Sequence, residues 1–375
     1  MNRKKVRIVC LGAKALPFAG GIEGVLTEVA PRLTALGYEI TVYVRSRYAG
    51  KPFESTYYGE VRLVSLPCFP GKHLEAPSHT LLSLFHALLT GADIFFFHAV
   101  VLGFFTIIPK LFGKKVVLET HGLDWKREKW GHVAKQLIKV SAHAAAVLPD
   151  ATLCVSATDA RFFEQEYGKR FPVVLNGVTP PIINDDQDFI SQLGLRPQNY
   201  VLFMSRLVPE KGCHLLLKAW KSLAPEYRGG MKLVIAGGTA YEDKYYYSLK
   251  SQAREDILFP GVVSGTRKAQ LLTHGLVFVQ PSTVEGLSLA LLEAMSYGLY
   301  PLVSDIEENL DAVGSDHATS FKVGNSADLS EKLSLLLADP DRLISLRPEI
   351  SNWVAERYNW DTVTERIATV LDAIL

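Results

Sequence analysis

VQPSTVEGLSLALLEAMSYG, residues Val279–Gly298, is the stretch that decides the fold. It reads as the end of an apolar strand, a polar loop that carries Glu285, and a helix that starts near Ser288. Gly286 lets the backbone come close to a ligand, and the first N–H groups of the helix have no partner within it. Because such a helix start attracts negative charge, we expect it to bind a phosphate.

The same stretch carries a second carboxylate, Glu293, one turn into the helix. It cannot face the same way as the amides of the helix start, but it can accept a bidentate hydrogen bond from a ribose diol. Glu285 and Glu293 are therefore predicted to make two separate contacts. The alternative from this stretch alone is an N-capped amphipathic helix with two incidental glutamates, because helix starts favour glutamate in any case.

A second polar segment, SRLVPEKG at Ser205–Gly212, follows the apolar strand YVLFM and precedes a helix. Arg206 and Lys211 stand five residues apart across a loop bent by Pro209. A guanidinium binds a diphosphate as a fork and an ammonium binds it as a point charge, so the two fit one diphosphate. Either residue alone is typical of a solvated surface charge, but the two together with the helix start after Glu285 indicate an anion site.

Length and composition point to two ordinary globular domains. The chain has 375 residues, with 48% hydrophobic and 21% charged residues, which is typical of folded domains and not of a disordered chain. The cysteines show no C-x-x-C spacing and no histidine at metal-ligand spacing, so neither disulfides nor a zinc site is predicted. They are Cys10, Cys68, Cys154 and Cys213. We expect a cytoplasmic protein.

Two segments resemble membrane signals at first sight. The start, MNRKKVRIVCL, is predicted to be a first strand and not a signal peptide, because no small-residue cleavage site follows it. Residues Ala92–Gly113 are strongly apolar, but Asp93, His98 and Lys110 interrupt them and the uninterrupted part is too short to cross a bilayer. A buried strand followed by an apolar helix is predicted there.

The net charge of +1 hides an excess of lysine and arginine in the first half of the chain. Several of these cations lie on or beside a predicted helix at His132–Val147, together with aromatic residues. Such a face could rest on anionic lipid, so peripheral membrane contact is a hypothesis; an ordinary solvated helix face is the alternative. No nucleic-acid partner is predicted. The cations are Lys114, Lys115, Lys126, Arg127, Lys129, Lys135 and Lys139.

Short β-branched or aromatic runs alternate with helical stretches along the chain, which predicts α/β architecture with doubly wound parallel sheets. The pattern breaks at Pro180–Pro181 and then restarts. We therefore predict two facing Rossmann-like domains with an interdomain cleft, residues 1–180 and 181–359. In open sheets of this kind, ligands bind beyond the carboxyl ends of the strands, so the loops after strands are expected to carry the chemistry.

Three further loops after strands contain candidate contacts. Gly20 and Gly21 precede a helix and would allow close approach to phosphate or sugar, with a plain turn as the alternative. They do not form the G-x-G-x-x-G fingerprint, so nicotinamide or flavin binding is not supported. His121 can contact a sugar hydroxyl or phosphate, or be a structural histidine. The main chain at Val262 can bind a nucleobase edge, or belong to a simple strand-to-turn connection.

Taken in order, GGIEGVLTEVAPRLTALGYEITVY, ETHGLDW, SRLVPEKG and EGLSLALLEAMSYG resemble the retaining glycosyltransferases of family 4, whose two-Rossmann-domain architecture is called GT-B. The resemblance runs along nearly the whole chain. Its most specific element is Glu285 with Glu293, which have seven residues between them and match the E-x7-E motif of the family. Arg206 with Lys211 is the second.

The resemblance implies transfer of a hexose-type sugar from a nucleotide-diphosphate sugar to a glycan, lipid-linked or small-molecule acceptor, in polysaccharide or glycoconjugate biosynthesis. It implies that Glu285 contacts the donor sugar, Glu293 the ribose, and His121 the sugar near the reacting bond. The diphosphate and its surroundings would be contacted by Arg206, Lys211, Gly20, Gly21, Gly286, Leu287, Ser288 and Leu289. The final helix, 360–375, would pack back on the first domain.

One departure from the family lies in the deciding stretch itself. The family commonly has E-G-F-G-L, so Ser288 replaces a flexible glycine; it can cap the helix and donate its hydroxyl to phosphate. A second departure is the order Gly298–Leu299–Tyr300–Pro301, in which the usual proline is displaced. Both leave the identity of the donor open more than the fold.

The resemblance favours a same-face displacement in which the leaving phosphate helps to deprotonate the acceptor. The cleft loops contain no D-x-D, which fits neutralisation by protein cations, so no metal and no cofactor is expected. The alternatives are a GT-B sugar-nucleotide epimerase, a non-catalytic partner subunit and, least supported, a nicotinamide oxidoreductase. Acceptor contacts are expected from Arg45–Thr56, Pro67–Ser78 and Trp125–His132, and a lipid-linked acceptor on the inner membrane face is compatible with the basic half.

Overall fold

A computed structural model of the protein describes residues 5–18, 20–71, 74–122, 132–239, 244–314 and 316–375. Its contacts divide the chain into two compact units. Unit 1 is Met1–Gly177 with Trp360–Leu375, and unit 2 is Val178–Asn359.

Unit 1 is built on a seven-stranded sheet in the order β3-β4-β2-β1-β5-β6-β7. All neighbouring strands are parallel except β3, which pairs antiparallel with β4 at the edge. β3 is polar and mostly exposed, so the sequence shows no apolar pattern there, and its first residues fall in the predicted acceptor loop Arg45–Thr56. The strands are β1 (Arg7–Leu11), β2 (Glu39–Arg45), β3 (Ser55–Tyr58), β4 (Val61–Leu66), β5 (Ile94–His98), β6 (Lys115–Glu119) and β7 (Ala151–Leu153).

The helices of unit 1 cover the sheet and follow its strands. They are α1 (Gly21–Ala35), α2 (Glu75–Thr90), a 3₁₀ helix (Val100–Thr106), α3 (Ile107–Leu111), α4 (His132–Val147) and α5 (Ala157–Tyr167). The apolar helix predicted after β5 is therefore a 3₁₀ turn followed by a short α-helix. Pro109 has no N–H to donate, so it is tolerated only in the first turn of an α-helix. The α-helix therefore cannot extend back into Val100–Thr106, and α3 is short.

The last helix of the chain returns to unit 1. There Arg32 of α1 donates to the Asp361 carboxylate at 2.8 Å, and the Tyr38 hydroxyl donates to Asp372. Gly177, the last residue before the chain leaves unit 1, lies against the Trp360 ring so closely that a Cβ would stand 2.4 Å from it. The chain thus leaves and re-enters unit 1 at one tight contact between a glycine and an indole.

Unit 2 contains a six-stranded sheet, all parallel, in the order β10-β9-β8-β11-β12-β13. Its strands are β8 (Tyr200–Met204), β9 (Lys232–Ala236), β10 (Ile257–Gly261), β11 (Val277–Gln280), β12 (Tyr300–Ser304) and β13 (Thr319–Phe321). Its helices are α6 (Asp188–Gln192), a 3₁₀ turn (Pro209–Lys211), α7 (Cys213–Ser222), α8 (Pro225–Arg228), α9 (Lys244–Lys250), α10 (Gly265–Thr273), α11 (Leu289–Ser296), α12 (Glu307–Val313), α13 (Ser326–Leu337), α14 (Pro340–Ser345) and α15 (Arg347–Arg357). The last element, α16 (Trp360–Ala373), is the helix that returns to unit 1.

The strand orders locate one special point in each sheet. In unit 1 the order runs outward in both directions from the adjacent pair β1 and β5, and in unit 2 from β8 and β11. At such a switch point the loops after the two strands diverge and leave a crevice for a ligand. Each described helix is too short or too polar to span a membrane.

Candidate functional site

The loops after β8 and β11 meet in an ion pair at the switch point of unit 2. The Lys211 ammonium lies 2.6 Å from both carboxylate oxygens of Glu285. Both side chains are largely buried, so little solvent screens the pair. Lys211 and Glu285, which were predicted to contact the diphosphate and the donor sugar, thus form an ion pair with each other.

Gly212 explains why the two loops come so close. It has a φ of +69°, and a Cβ there would stand 2.0 Å from the carbonyl oxygen of Pro281. Only glycine fits this contact without moving backbone. The Thr283 N–H also donates to the Glu210 carbonyl at 2.9 Å, which fixes the two loops side by side.

Gln280 supports Glu285 from the sheet side. It is the last residue of β11, it is buried, and its side-chain amide donates to Glu285 Oε1 and, at 3.1 Å, to Ser282 Oγ. The Ser304 hydroxyl, at the end of β12, donates to the Ser282 carbonyl at 2.5 Å. Glu285 is therefore oriented by a lysine on one side and an amide on the other. Gln280 was not identified from the sequence.

The helix after Glu285 starts as predicted, with Ser288 as its N-cap and Leu289 as its first residue. The Ser288 hydroxyl accepts from the Leu291 N–H at 3.4 Å, so the capping role of the serine that replaces the usual glycine is confirmed. Gly286 and Leu287 lead into this helix start. Glu293 pairs with Lys268 of α10 at 2.5 Å. The two glutamates of the motif thus have separate cationic partners.

Arg206 and Val262 occupy exposed positions in the loops after β8 and β10. The loop of Arg206 is tied to the loop after β9, because the Leu207 N–H donates to the Gly238 carbonyl at 2.8 Å. The Val262 side chain is 74% exposed. Among the predicted donor contacts of unit 2, the structure brings Lys211 and Glu285 into direct contact and leaves Arg206 and Val262 accessible.

In unit 1, Gly20 and Gly21 form the start of α1. Gly20 is the N-cap in an extended conformation, and Gly21 has open space where a Cβ would stand. The Glu23 carboxylate closes this turn by accepting from the Lys14 N–H at 2.9 Å. The open side of Gly21 is compatible with the close approach that the sequence predicted, which stays a prediction.

Two of the predicted acceptor loops of unit 1 are joined by a buried ion pair. Arg45, the last residue of β2, lies 2.6 Å from Glu75 at the start of α2, and the Tyr48 hydroxyl donates to the same carboxylate at 3.3 Å. This pair ties Arg45–Thr56 to Pro67–Ser78. The third loop, Trp125–His132, lies almost entirely outside the described residues, as do Lys126, Arg127 and Lys129 of the predicted basic face.

His121, two residues after β6, belongs to a buried polar cluster. Its Nε2 lies 3.2 Å from Glu119 Oε2, and the same oxygen accepts from His98 Nδ1 at 2.8 Å. Glu119 and His98 are the last residues of β6 and β5 and were not identified from the sequence. In the part of the chain that the structure describes, these three offer ligand atoms within 4.8 Å of one another, a spacing that a metal ion also accepts.

Two family descriptions match the chain. "Glycosyltransferase Family 4" matches residues 19–180 and "Glycosyl transferases group 1" matches residues 185–357. The chain belongs to the group 1 glycosyltransferases. It is therefore a transferase that carries the residues of the E-x7-E motif at the carboxyl edge of its second sheet.

Curated relatives agree with this family. The GDP-mannose-dependent alpha-(1-6)-phosphatidylinositol monomannoside mannosyltransferase of Mycobacterium tuberculosis is 25% identical over 386 residues, covering 95% of both chains. The alpha-maltose-1-phosphate synthase of Mycolicibacterium smegmatis is 27% identical over 290 residues, covering 68% of this chain and 72% of the relative. The first of these relatives is by its name a mannosyltransferase that depends on GDP-mannose.

Solved structures show the fold. Sucrose-phosphate synthase from Thermosynechococcus elongatus superposes with a TM-score of 0.80 at 14% identity, covering 99% of both chains. Anabaena HepE in complex with UDP and glucose superposes with a TM-score of 0.78 at 17% identity, covering 98% of this chain and 100% of HepE. The predicted GT-B fold is confirmed.

Proposed function

We propose that the protein is a retaining glycosyltransferase that moves a hexose-type sugar from a nucleotide-diphosphate sugar to a lipid-linked acceptor at a membrane surface. The observation that carries the donor half of this proposal is the Lys211–Glu285 pair at the switch point between β8 and β11. It places a cation, a carboxylate and a helix start together, which are the groups that a sugar diphosphate needs.

Donor binding would redistribute the charges of this pair. The diphosphate would take the Lys211 ammonium and the amides after Gly286, and Arg206 would approach from the exposed side. Glu285, still hydrogen-bonded to Gln280, would then accept hydrogen bonds from hydroxyls of the sugar. Glu293 would accept the ribose diol.

The reaction would be a displacement on one face of the sugar. The bond between the anomeric carbon and the diphosphate oxygen breaks, the acceptor oxygen bonds to the same carbon, and the acceptor proton passes to the leaving phosphate. The negative charge that develops on the diphosphate is stabilised by Lys211, Arg206 and the start of α11. Preorganised donors of this kind are worth roughly 10²–10³ in rate each.

The acceptor half rests on an exposed apolar face of unit 1. α2 packs against α3 and the 3₁₀ helix, and together they expose large apolar side chains between 40% and 89%. The apolar face consists of Leu81, Phe85, Leu89, Phe104, Ile107, Leu111 and Phe112. The three residues of α2 are spaced by four, so they form one stripe along the helix. Several large apolar side chains exposed on helices that contact one another indicate an interaction site.

Charge at the edge of the apolar face favours a lipid surface over a protein partner. Lys110 of α3 is paired with Asp150 at 2.8 Å, Lys114 follows Gly113 just after α3, and Lys139 is exposed on α4, which packs against the 3₁₀ helix. Apolar side chains beside lysines are the pattern of peripheral helices on anionic membranes. The mycobacterial relative is named for a phosphatidylinositol monomannoside, which is a lipid.

A panel of nucleotide sugars tests the donor half. Thermal unfolding is recorded with each sugar nucleotide, because a ligand that binds the folded state raises the Tm. The stabilising donor is then incubated with and without extracts of membrane lipid. Release of nucleoside diphosphate that requires lipid supports transfer, and conversion of the sugar nucleotide without any acceptor would identify an epimerase instead.

Vesicle sedimentation tests the membrane half. We expect the protein to sediment with vesicles of phosphatidylglycerol and not with vesicles of phosphatidylcholine alone. Leu89→Asp with Leu111→Asp should abolish the binding, whereas Leu335→Asp on the exposed surface of unit 2 should leave it unchanged. A dimer that dissociates in the double variant, with no vesicle binding in the wild type, would show that the apolar face binds a second copy and not lipid.

A further inference from the structure

The strand register of unit 1 brings two residues together that stand 21 positions apart. β5 and β6 are parallel neighbours, and His98 and Glu119 are paired as their last residues. The His98 Nδ1 lies 2.8 Å from Glu119 Oε2, and the His121 Nε2 lies 3.2 Å from the same oxygen. One carboxylate oxygen therefore faces two imidazoles.

The charge state of Glu119 follows from these neighbours. Burial raises its pKa, but the hydrogen bonds and charges of His121 and His98 outweigh burial and hold the pKa at about 2. Glu119 is therefore an anion at any pH at which the protein works. A carboxylate accepts hydrogen bonds and donates none, so an imidazole nitrogen that faces it is favoured as an N–H. The His98 Nδ1 makes this hydrogen bond, and the His121 Nε2 lies at ion-pair distance from the same oxygen.

His98 is the fixed donor of the cluster. Burial lowers its pKa, against the opposing effect of Glu119, so the neutral ring is favoured. Its Nε2 is buried with no hydrogen-bond partner among the described residues, so a proton on that nitrogen would be left without an acceptor. The neutral His98 ring must then carry its proton on Nδ1, where it donates to Glu119.

The peptide around His121 is held by a second carboxylate. Asp159, near the start of α5, accepts from the Thr120 hydroxyl at 2.5 Å and from the Gly122 N–H at 3.2 Å. These are the residues on either side of His121. Asp159 thus fixes the backbone, while Glu119 fixes the ring.

We propose that Glu119 and His98 are positioning residues that hold the His121 imidazole with its proton on Nε2. A neutral ring with its proton on Nε2 has Nδ1 as its acceptor nitrogen, which would accept a hydrogen bond from a sugar hydroxyl. This role of His121 rests on the proposed glycosyl transfer. The side chain is 13% exposed, so one edge of the ring can reach a ligand while the other is buried against the carboxylate.

Two substitutions of His98 separate positioning from mere stability. His98→Asn keeps a donor to Glu119, because the side-chain amide of an asparagine places an N–H where the imidazole Nδ1 stands. His98→Leu removes the donor and leaves the apolar packing against Phe96. We expect kcat to fall roughly 10–100-fold in His98→Leu and in Glu119→Gln, the range for loss of an orienting partner, with an unchanged KM for the donor. His98→Asn should stay within about threefold of wild type.

The tautomer gives a readout that does not depend on activity. In protein with ¹⁵N-labelled histidine, the His121 resonances, assigned with His121→Gln, should show the proton on Nε2 in the wild type and in His98→Asn. Glu119→Gln should show a mixture of tautomers, because its amide can donate to the ring as well as accept from it.

The outcomes separate this inference from the proposed function. Equal kcat in His98→Leu and His98→Asn, or an unchanged tautomer in Glu119→Gln, would overturn the positioning role. Stoichiometric Zn²⁺ binding that is lost in Glu119→Gln would overturn it too, by making the cluster a metal site. A wild type that holds the expected tautomer but transfers no sugar from any donor would overturn the proposed function instead.

Discussion

Both units place a buried carboxylate at the carboxyl edge of the sheet, but the partners of the two carboxylates differ. In unit 2, Glu285 is paired with the Lys211 ammonium, whereas in unit 1 Glu119 faces the imidazoles of His98 and His121. An ammonium group offers a positive charge and only donors, whereas a neutral imidazole has one donor nitrogen and one acceptor nitrogen. The site of unit 2 therefore depends on charge and the site of unit 1 on the placement of protons.

This difference suits the two halves of the proposed reaction. Binding of a diphosphate requires permanent positive charge, and its oxygens can replace a carboxylate as the hydrogen-bond partner of a lysine ammonium. A sugar hydroxyl needs a hydrogen-bond partner with a defined donor or acceptor character. We therefore expect the largest changes in activity or stability at the charged site of unit 2 and smaller ones at the histidines of unit 1. The smallest are expected at Gln280 and Lys268, which contact the two glutamates of the motif.

The largest expected effects separate Lys211 from Arg206. Lys211→Ala and Arg206→Ala should each lower kcat/KM roughly 10²–10³-fold, because each removes a cation from the diphosphate. Only Lys211→Ala should also destabilise the protein, by roughly 3–5 kcal/mol, since it leaves the buried Glu285 carboxylate without its ammonium. Arg206 is exposed, so solvent screens its contacts and its loss should change the free energy of unfolding by at most about 1 kcal/mol in urea titrations.

The double variant Lys211→Met with Glu285→Gln is the control for this prediction. It removes both charges, so its stability in urea should return towards wild type while transfer stays absent. A Lys211→Ala protein as stable as wild type would show that the pair contributes nothing to folding.

Acid should weaken unit 1 through His79. The ring is buried in α2 and lies 2.9 Å from the Val44 carbonyl; burial lowers its pKa to about 4, with the hydrogen bond to Val44 and the charge of Glu75 opposing and Arg45 assisting. The unfolded pKa is about 6.5, so this contribution to stability is complete above pH 6.5 and is lost as the pH falls to about 4. The loss should reach about 3 kcal/mol.

His79→Gln provides the matched control, because its amide N–H can still reach the Val44 carbonyl but has no proton to gain. Calorimetric Tm values between pH 7 and pH 4 should fall less steeply in this variant than in wild type. Parallel pH profiles for the two proteins would contradict the assignment.

The sequence predicted the parts of the fold that rest on buried parallel strands. Runs such as those of β5 and β8 are continuously apolar because both faces of each strand are covered. It did not predict β3, which is polar and pairs only with β4, or helices such as α15, which buries only Ile350 and Val354. An element with few buried side chains shows little periodicity of apolar residues, so the sequence gives little indication of it.

Candidate site residues could be identified from the sequence where one segment contains them. Glu285, Ser288 and Glu293 lie on one loop and the helix that follows it, so the sequence indicated them as candidates, and the family resemblance supplied their predicted roles. Glu119, His98 and Gln280 were missed because their contacts depend on which strands are neighbours. They share a signal that the sequence does show: each is the polar last residue of a buried parallel strand.

Gln280 tests whether that signal marks function in unit 2. Gln280→Leu removes a donor to Glu285 Oε1, and a hydrogen bond to a charged group is worth about 1.5–3 kcal/mol, so we expect kcat to fall at least tenfold. Gln270→Leu is the control, because this buried amide accepts from the Phe189 N–H at 2.8 Å and so supports α6 and not Glu285. Equal losses of activity in the two variants would mean that Gln280 acts only through stability.

The smallest effect is expected at Lys268, the partner of the second glutamate. The pair lies 2.5 Å apart with side chains 35% and 29% exposed, so solvent screens it and its contribution is on the order of 0.5 kcal/mol. A carboxylate has room for the ammonium and a ribose diol together, so Lys268→Met should change the donor KM by less than about threefold. Glu293→Gln should raise the same KM about tenfold or more, because the substitution replaces one of the two acceptor oxygens with an NH₂ donor and removes the negative charge. A KM in Lys268→Met as high as in Glu293→Gln would show that the lysine, and not the carboxylate, makes the contact that donor binding requires.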